Sequence, residues 1–385
     1  MTRALSRLAA LSLFAVAALA PVPAPAEEGP AHPTLAIGAA APDFDLPGVD
    51  GRRHTLASFA DAPVLVFVFT ANHCPTAQAY EERIEKLHAD FAGRGVRIVL
   101  VSPNDPLALR LDEQGYSDVG DTLEDMQVRA KDRGWTFPYL YDGETQAMSR
   151  AYGPVATPHV FVFDAARKLR FVGRVDDNED PAKARTSDAR DAIEAVLAGK
   201  GVAVETTKVF GCSVKWSDKR PWVKEGLEKW AQEPVALDTV DEAGVKAIAV
   251  NAGGKKLRLV NVWATWCGPC KIEFPDLVAV HRIYRGREFE VVTVNADDAA
   301  KREAALSFLK EQQASMRNVA FDKGDPYALI EAVDPKWQGA LPHTILVAPG
   351  GEVVYRSEGA FDTLKLRKAI VGWLGRYYHS TPGGK

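Results

Sequence analysis

Residues 263–275 read WATWCGPCKIEFP, and they contain the most informative pattern in this chain. Cys267 and Cys270 stand at a C-x-x-C spacing, which allows a disulfide to close within one helical turn. If a helix begins at the first cysteine, its dipole stabilises the thiolate there. An apolar run, Leu257–Trp263, precedes the pair and an amphipathic segment follows it. The order strand, reactive turn and helix predicts a site of dithiol–disulfide exchange.

A C-x-x-C pair also begins many zinc sites, which need a second pair of ligands. No cysteine follows Cys270, and the later histidines do not form a pair with zinc-site spacing; they are His281, His343 and His379. The sequence therefore predicts no metal site here. A plain structural disulfide is the other interpretation, and the strand-to-helix setting makes it the weaker one.

The longer segment LVNVWATWCGPCKIEFPDL, residues 259–277, resembles the active-site segment of the TlpA/ResA-like branch of the thioredoxin superfamily. The resemblance implies a thiol-disulfide oxidoreductase that acts on disulfide-bearing protein substrates. It also implies electrons supplied by a membrane thiol relay. In such a site Cys267 is the nucleophile and Cys270 resolves the mixed disulfide.

Glu273 follows Cys270 by three residues, so the two side chains lie on the same side of a helix. In the TlpA/ResA-like branch, a glutamate at this position is associated with taking the proton of the second thiol. The resemblance therefore implies that role for Glu273. A solvated charge on the helix surface is the plainer alternative.

The N-terminal residues have the zones of a secretory signal peptide. Arg3 and Arg7 precede an apolar run, Leu8–Leu19, and small residues end at Ala26. We predict a signal peptide over residues 1–26 and an exported, periplasmic or otherwise extracytoplasmic chain. The apolar run is shorter than the ~20 residues of a membrane span, so we expect no membrane span after cleavage.

The composition is that of a globular chain, since 46% of the 385 residues are hydrophobic and 25% are charged. At about 150 residues per domain, this length suggests two domains. A formal net charge of -4 without a basic block argues against nucleic acid as a partner. The sequence has no phosphate-binding loop, dinucleotide fingerprint or haem-attachment motif, so we expect no cofactor.

The rest of the chain contains one pattern twice: strand, cysteine, helix, strand, hairpin, helix. This alternation predicts an α/β fold of two tandem thioredoxin-like domains, each with a mixed β-sheet flanked by helices. We predict a first domain at 35–216, a linker or helix at 217–233 and a second domain at 234–378. The predicted strands are Val64–Phe69, Val96–Val101, Val160–Phe163 and Leu169–Val172 in the first copy, and Leu257–Trp263, Phe289–Val294, Thr344–Val347 and Glu352–Tyr355 in the second.

A proline precedes each hairpin, in Thr157-Pro158 and in Leu341-Pro342. In thioredoxin-like folds the proline at this place is cis and lies against the active-site sulfur. The resemblance therefore implies cis bonds and a substrate groove at both places, although a proline at a turn or edge strand is the plainer alternative. We expect Trp266, beside the first thiol, to shield the active site.

The first copy has a single cysteine, Cys74, because Ala77 occupies the place of the second thiol. Residues 72–77 (NHCPTA), 174–177 (RVDD) and 211–216 (GCSVKW) resemble one subgroup of the redoxin/peroxiredoxin-like superfamily. The peroxiredoxin pattern P-x-x-x-T-x-x-C is broken, since Phe67 and Ala71 replace its proline and threonine. A helix N-terminus and the neighbouring His73 would still favour a thiolate at Cys74.

A reactive thiol in an oxidising compartment needs a partner, and Cys212 is the remaining cysteine. We predict a reversible Cys74–Cys212 disulfide, with a permanent structural staple as the alternative. Cys212 lies in the apolar segment 199–233 between the copies, which we expect to pack on the first domain.

Three functions fit these patterns. The first is an exported thiol-disulfide oxidoreductase whose Cys267/Cys270 dithiol reduces partner proteins or its own N-terminal domain. The second is a thiol peroxidase-like antioxidant in which Cys74 is oxidised, Cys212 resolves and the dithiol recycles them. In the third, the first domain is a noncatalytic redox-sensing or docking module.

Overall fold

The computed structural model describes residues 32–322, 325–380 and 383. The predicted signal peptide, residues 1–26, lies outside these ranges. The described chain is a mixed α/β protein with two main sheets, each flanked by helices. We call residues 35–216 the first unit and residues 234–378 the second unit. Among the helices of the described ranges, none is long and apolar enough to cross a membrane.

The helices and strands follow in two runs joined by one helix. Those of the first unit are β1 (Asp45–Pro47), β2 (Arg53–Thr55), β3 (Val64–Phe69), α1 (Pro75–Phe91), β4 (Val96–Ser102), α2 (Leu123–Arg133), β5 (Tyr139–Tyr141), α3 (Ala147–Tyr152), β6 (Ala156–Thr157), β7 (His159–Phe163), β8 (Leu169–Gly173), α4 (Asp188–Leu197) and β9 (Cys212–Ser213). The connecting helix is α5 (Arg220–Ala231). Those of the second unit are β10 (Asp238–Val240), α6 (Glu242–Val250), β11 (Leu257–Trp263), α7 (Gly268–Tyr284), β12 (Phe289–Asn295), α8 (Arg302–Glu311), β13 (Arg317–Phe321), α9 (Pro326–Val333), β14 (His343–Val347), β15 (Val353–Glu358) and α10 (Thr363–Leu374).

The first main sheet has the strand order β5-β4-β3-β7-β8. Strands β3, β4 and β5 are parallel, whereas β7 and β8 are antiparallel to their neighbours. Every residue of β3 is buried, because core side chains cover both faces of the sheet. The apolar stripe of α1 packs into the core on one face; its members are Tyr80, Ile84, Leu87 and Phe91.

The second main sheet has the order β10-β13-β12-β11-β14-β15. Strands β10, β13, β12 and β11 are parallel to one another, whereas β14 is antiparallel to both β11 and β15. Strand β11 is central and ends at Trp263, which is fully buried. Each unit thus places a buried central strand directly before its cysteine-bearing helix.

Several elements were not predicted from the sequence. They are α2, β5, α3, β6 and β9 in the first unit, and β10, α6, α8, β13 and α9 in the second. Helix α2 shows why, since only Met126, Arg129 and Ala130 of its 11 residues are buried. A segment this polar gives little periodic signal, and its contacts with the core determine its structure.

We expected the segment joining the units to pack on the first domain, and this prediction was incomplete. Its helix α5 contacts both units. Arg220 forms an ion pair with Asp105 of the first unit, while Trp230 lies under the guanidinium groups of Arg282 and Arg285 in the second. Helical spacing indicated the helix, but it does not identify the surfaces that the helix meets.

The two units also contact each other directly along the C-terminal ends of α7 and α10. Tyr284 Oη, in the last turn of α7, donates to the carbonyl oxygen of Ser117 at 2.7 Å. Arg376, just after α10, donates to Asp118 Oδ1 at 2.6 Å. The Asp118 side chain is only 2% exposed, so this ion pair is largely removed from water.

Replacing Arg376 by Gln should weaken this contact, because the buried Asp118 loses a charged donor. Hydrogen bonds to charged groups contribute about 1.5–3 kcal/mol, so we expect Arg376→Gln to lower the free energy of unfolding by about 2 kcal/mol. Urea unfolding followed by circular dichroism measures the change.

Lys368→Gln is the matched control. Lys368 Nζ lies 2.6 Å from Asp132 and also joins the units, but the two side chains are 37% and 38% exposed. Exposed pairs contribute about 0–1 kcal/mol, so this variant should stay close to the parent. Equal losses in both variants would show that burial does not set the strength of the contact.

Candidate functional site

Helix α7 begins directly after Cys267, and this sets the geometry of the dithiol. Cys267 is the N-cap residue, and its sulfur accepts a hydrogen bond from the backbone N–H of Cys270 at 3.2 Å. The two cysteines form a disulfide with an S–S length of 2.05 Å and a Cα–Cα distance of 5.3 Å. Cys267 is 5% exposed and Cys270 is fully buried, so the first sulfur is the more accessible of the two.

A buried carboxyl group lies one helical turn beyond Cys270. Glu273 Oε1 accepts a hydrogen bond from Asn261 Nδ2 at 2.8 Å, and Oε2 accepts one from the backbone N–H of Phe361 at 3.0 Å. Burial raises the pKa of Glu273 to about 7, and these two hydrogen bonds only partly oppose the shift. A carboxyl group with this pKa can gain or lose a proton near neutral pH.

An open cavity of about 490 Å³ lies beside Trp266, the residue before Cys267. Its walls include Trp266, Leu341 and Trp337. Trp266 is 65% exposed, so it borders the opening and leaves it accessible. The Leu341-Pro342 bond is cis. Two of the predicted groove residues of the second unit, Trp266 and Leu341, therefore line one cavity.

The first unit repeats this arrangement with one sulfur. Cys74 is the N-cap residue of α1 and accepts a hydrogen bond from the backbone N–H of Ala77 at 3.3 Å. Its sulfur lies 3.4 Å from the carbonyl oxygen of Thr157, which precedes the cis bond to Pro158. Cys74 is fully buried.

Cys212 reaches Cys74 through a short strand pairing. Strand β9 is antiparallel to β6, and Cys212 is the direct partner of Thr157. Cys212 packs against the small buried cluster of Ala71, Cys74 and Ala77. The predicted Cys74–Cys212 disulfide is not formed in this structure; both residues are free thiols in contact with each other. The pairing of the two residues remains a prediction about the oxidised chain.

Contact between the thiols changes how they ionise. Burial alone would raise the pKa of Cys74, but a hydrogen bond from Cys212 and the charge of His73 lower it to about 6. The same hydrogen bond and burial raise the pKa of Cys212. The contact therefore favours the thiolate at Cys74, with Cys212 as the donor of the hydrogen bond.

His73 is paired with a buried carboxylate that sequence reasoning missed. His73 Nδ1 lies 2.5 Å from Asp121 Oδ2, and both side chains are essentially buried. Asn104 Nδ2 also donates to Asp121 Oδ2, at 2.7 Å. Burial would lower the pKa of His73, but Asp121 raises it above its usual value. Asp121 lies 47 residues after Cys74 in a polar segment, and no local motif indicates it.

The two thiol sites lie towards opposite ends of α7. Cys267 caps its N-terminus, while Tyr284 at its other end contacts Ser117 of the first unit. At roughly 1.5 Å per residue, the 17 residues of α7 span about 26 Å.

The Cys74 site lies near the C-terminal end of α7. Gln78, one turn along α1 from Cys74, donates to the carbonyl oxygen of Tyr116 at 3.1 Å. The Tyr116 ring meets Arg287, just after α7, at 3.9 Å and the Tyr378 ring at 5.1 Å. Burial and the charges of the two nearby thiols raise the pKa of Tyr378. Residues following α10 thus border the first thiol pair.

Comparison with known proteins finds one family match within each unit. Residues 37–172 match the AhpC/TSA family and residues 235–370 match the Redoxin family. Thiol:disulfide interchange protein CycY of Rhizobium leguminosarum bv. viciae is 30% identical, over 37% of this chain and 68% of the relative. Thiol-disulfide oxidoreductase ResA of Bacillus subtilis (strain 168) is 32% identical, over 34% of this chain and 68% of the relative.

A crystal structure of a hypothetical protein from Sinorhizobium meliloti 1021 is 35% identical, with a TM-score of 0.43, and covers 48% of this chain and 97% of that one. Across the first curated relatives, this chain spans 59 to 68% of the relative's length. Fold and site together define a protein of two tandem thioredoxin-fold units of the redoxin and AhpC/TSA kind. The chain belongs to the family that includes the thiol:disulfide interchange proteins and the ResA oxidoreductases.

Gly211 allows β9 to approach the loop that carries Thr157. Its φ is +135°, and a Cβ atom there would lie 2.0 Å from the carbonyl oxygen of Thr157. We expect Gly211→Ala to push β9 away and to separate Cys212 from Cys74. The pKa of Cys74 should then rise from about 6 towards its usual 9.0. Titration of thiolate absorbance, in a chain carrying Cys267→Ser and Cys270→Ser, measures it.

Gly199→Ala separates this effect from backbone strain. Gly199 also has a positive φ, +65°, but nothing lies within 4 Å of a Cβ atom there. Its substitution should leave the pKa of Cys74 unchanged. A similar shift in both variants would contradict a role for the approach of β9.

Proposed function

We propose that this chain is an exported thiol-disulfide oxidoreductase whose Cys267/Cys270 dithiol reduces disulfides in partner proteins. The observation that supports this most is the position of Cys267. It caps the N-terminus of α7, next to the exposed Trp266 and its cavity, with Cys270 buried behind it. Relatives that carry the names thiol:disulfide interchange protein and thiol-disulfide oxidoreductase support the same chemistry.

The reaction proceeds from the reduced dithiol in two exchange steps. The Cys267 thiolate attacks one sulfur of the partner's disulfide, forms a mixed disulfide and releases the other partner sulfur as a thiolate. Cys270 then attacks Cys267, closing the disulfide of the chain and releasing the second partner thiol. Two electrons pass from the dithiol to the partner.

Glu273 acts in the second step as the acceptor of the Cys270 proton. It is buried one helical turn from Cys270, and its raised pKa of about 7 lets it accept a proton at neutral pH. Asn261 and the backbone of Phe361 hold its two oxygens in place. The pair Asn261 and Glu273 therefore belongs to the reactive machinery in this proposal.

The setting of the reaction is proposed from the sequence. The charged, apolar and small-residue zones of residues 1–26 favour export to the periplasm or another extracytoplasmic space, where the chain would serve redox homeostasis. A membrane thiol relay would return electrons to the Cys267–Cys270 disulfide. A Cys74–Cys212 disulfide in a first unit of this protein is a further candidate substrate.

Reduction of insulin disulfides at several pH values tests the proposal. The reduced wild-type chain should reduce insulin, and Cys267→Ser should abolish the reaction. In Glu273→Gln, resolution of the mixed disulfide should be about 10²-fold slower, because general-base assistance is lost. In the wild type this step should accelerate as pH rises through about 7, since Glu273 becomes a carboxylate there. Stopped-flow tryptophan fluorescence follows the step.

A stability measurement checks the assigned pKa independently. The folded pKa of Glu273 lies above its usual 4.5, so ionisation costs the wild type stability as pH rises from 4.5 towards 7. Glu273→Gln lacks this cost, so its stability relative to wild type should increase over the same range.

Full insulin reduction by Cys267→Ser would refute the proposed function.

A second candidate function is peroxide reduction at Cys74, with antioxidant activity. It is favoured by the lowered pKa of Cys74, since thiolates attack peroxides, and by Cys212 in contact as a resolving thiol. In a Cys267→Ser chain, one equivalent of peroxide should be consumed per Cys74 with formation of the Cys74–Cys212 disulfide. Mass spectrometry of Cys212→Ser should then detect sulfenic acid at Cys74, and its absence would rule out this candidate.

A further inference from the structure

We propose that an oxidised Cys74–Cys212 pair is reduced by the Cys267/Cys270 dithiol of a second copy of this chain, and not by the dithiol of its own chain. The dithiol of the second copy attacks the sulfur of Cys212. The proposal deepens the proposed function and rests on it, because the attacking group is Cys267 of the other copy. It assigns different roles to the two sulfurs of the first unit. Cys212 is where the electrons enter, and Cys74 is the leaving group.

Access distinguishes the two sulfurs. Cys74 is fully buried between α1 and the loop at Thr157. Cys212 is partly exposed, and both its neighbours in sequence, Gly211 and Ser213, are exposed. A protein thiolate must reach a disulfide sulfur directly, so it can attack at Cys212 and not at Cys74.

The surroundings of Cys74 favour its departure as a thiolate. Its sulfur accepts the backbone N–H of Ala77 at the N-terminus of α1, where the helix dipole stabilises negative charge. Next to it in sequence lies His73, whose pKa is raised by the buried carboxylate of Asp121. A thiol whose thiolate is stabilised is the better leaving group in disulfide exchange.

The relative position of the sites excludes direct exchange within one chain in this arrangement. Exchange requires the attacking sulfur to contact the disulfide. Cys267 lies at the N-terminus of α7. Tyr116, which lies beside the Cys74 site, meets Arg287 just after the C-terminus of α7. The helix between them is about 26 Å long. The contacts of Tyr284 with Ser117 and of Arg376 with Asp118 hold this arrangement.

The dithiol of a second copy is free to contact Cys212, whereas the dithiol of the same chain is held away from it. Cys267 of the second copy lies beside the exposed Trp266. Near the Cys74 site, Tyr378 is 58% exposed and packs on the Tyr116 ring. Both sites are thus open to another molecule, with an exposed aromatic side chain at each.

The step balances as an ordinary exchange. The Cys267 thiolate of the donor copy bonds to Cys212, and the Cys74–Cys212 bond breaks with both of its electrons passing to Cys74. Cys270 of the donor, having lost its proton, bonds to its own Cys267 and releases Cys212, which takes a proton. The donor is oxidised to its disulfide, and the Cys74–Cys212 pair gains two electrons.

Trapping of the mixed disulfide tests which sulfur is attacked. The acceptor is the full chain with Cys267→Ser and Cys270→Ser, oxidised with diamide and freed of excess reagent. The donor carries Cys74→Ser, Cys212→Ser and Cys270→Ser, so that Cys267 cannot be resolved. We expect a covalent dimer joined through Cys212 with Cys74 free for alkylation, as mapped by peptide mass spectrometry. A link to Cys74, or no link, would overturn the proposal.

The Cys270→Ser chain, with its Cys74–Cys212 pair oxidised, tests whether the reaction stays within one chain. We expect covalent dimers, with an initial rate per chain that rises about tenfold for a tenfold higher concentration. A monomeric Cys267–Cys212 link at a rate independent of concentration would overturn the proposal.

Reduced glutathione as a small donor separates this proposal from the proposed function. One outcome is a glutathione adduct at Cys212 but no insulin reduction by the wild-type dithiol. This outcome would refute the proposed function and the role of the second copy, but it would uphold the attack at Cys212. Insulin reduction together with a glutathione adduct at Cys74 would overturn the assignment of the two sulfurs alone.

Discussion

Both thiol sites depend on one arrangement, a cysteine at the N-terminus of the helix that follows a buried central strand. The first N–H groups of a helix have no partner within it, and in each unit the sulfur accepts one of them. Cys267 accepts from Cys270, and Cys74 accepts from Ala77. Strands β11 and β3 are buried along almost their whole length, so each cysteine is held at a fixed place beside a cis-proline loop.

The units differ in how the second sulfur is supplied. The second unit carries it one helical turn on, as Cys270, so the site is complete within a single element. The first unit has Ala77 there and obtains a second thiol from β9, 138 residues after Cys74. That strand pairs with β6 beside the cis-proline loop of the first unit. In the described part of the second unit, Ala340 and Leu341 belong to no strand, and the cavity at Trp266 stays open.

The sequence predicts the fold well where burial alone determines it. Strands β3 and β11 have the predicted bounds, because each is an unbroken apolar run before its cysteine. Contacts between distant polar residues leave no such signal. Asp121 meets His73 only once the chain has folded, and the spacing of Trp230 indicates a helix without revealing that Arg282 and Arg285 cover it. Likewise, spacing puts Glu273 near Cys270, but its pKa is raised by burial, which the spacing does not reveal.

The ion pair between Arg376 and Asp118 has a consequence for biosynthesis. Its two residues are 258 positions apart, so the first unit leaves the ribosome long before its partner residues exist. At about 5–20 residues per second, the delay is roughly 10 to 50 s. During that interval Asp118 has its ion pair with Arg129 but not the one with Arg376, and Tyr378 does not yet pack on Tyr116. Until those residues are made, the nascent first unit therefore exposes the Ser117–Asp118 surface that Tyr284 and Arg376 cover in the finished protein.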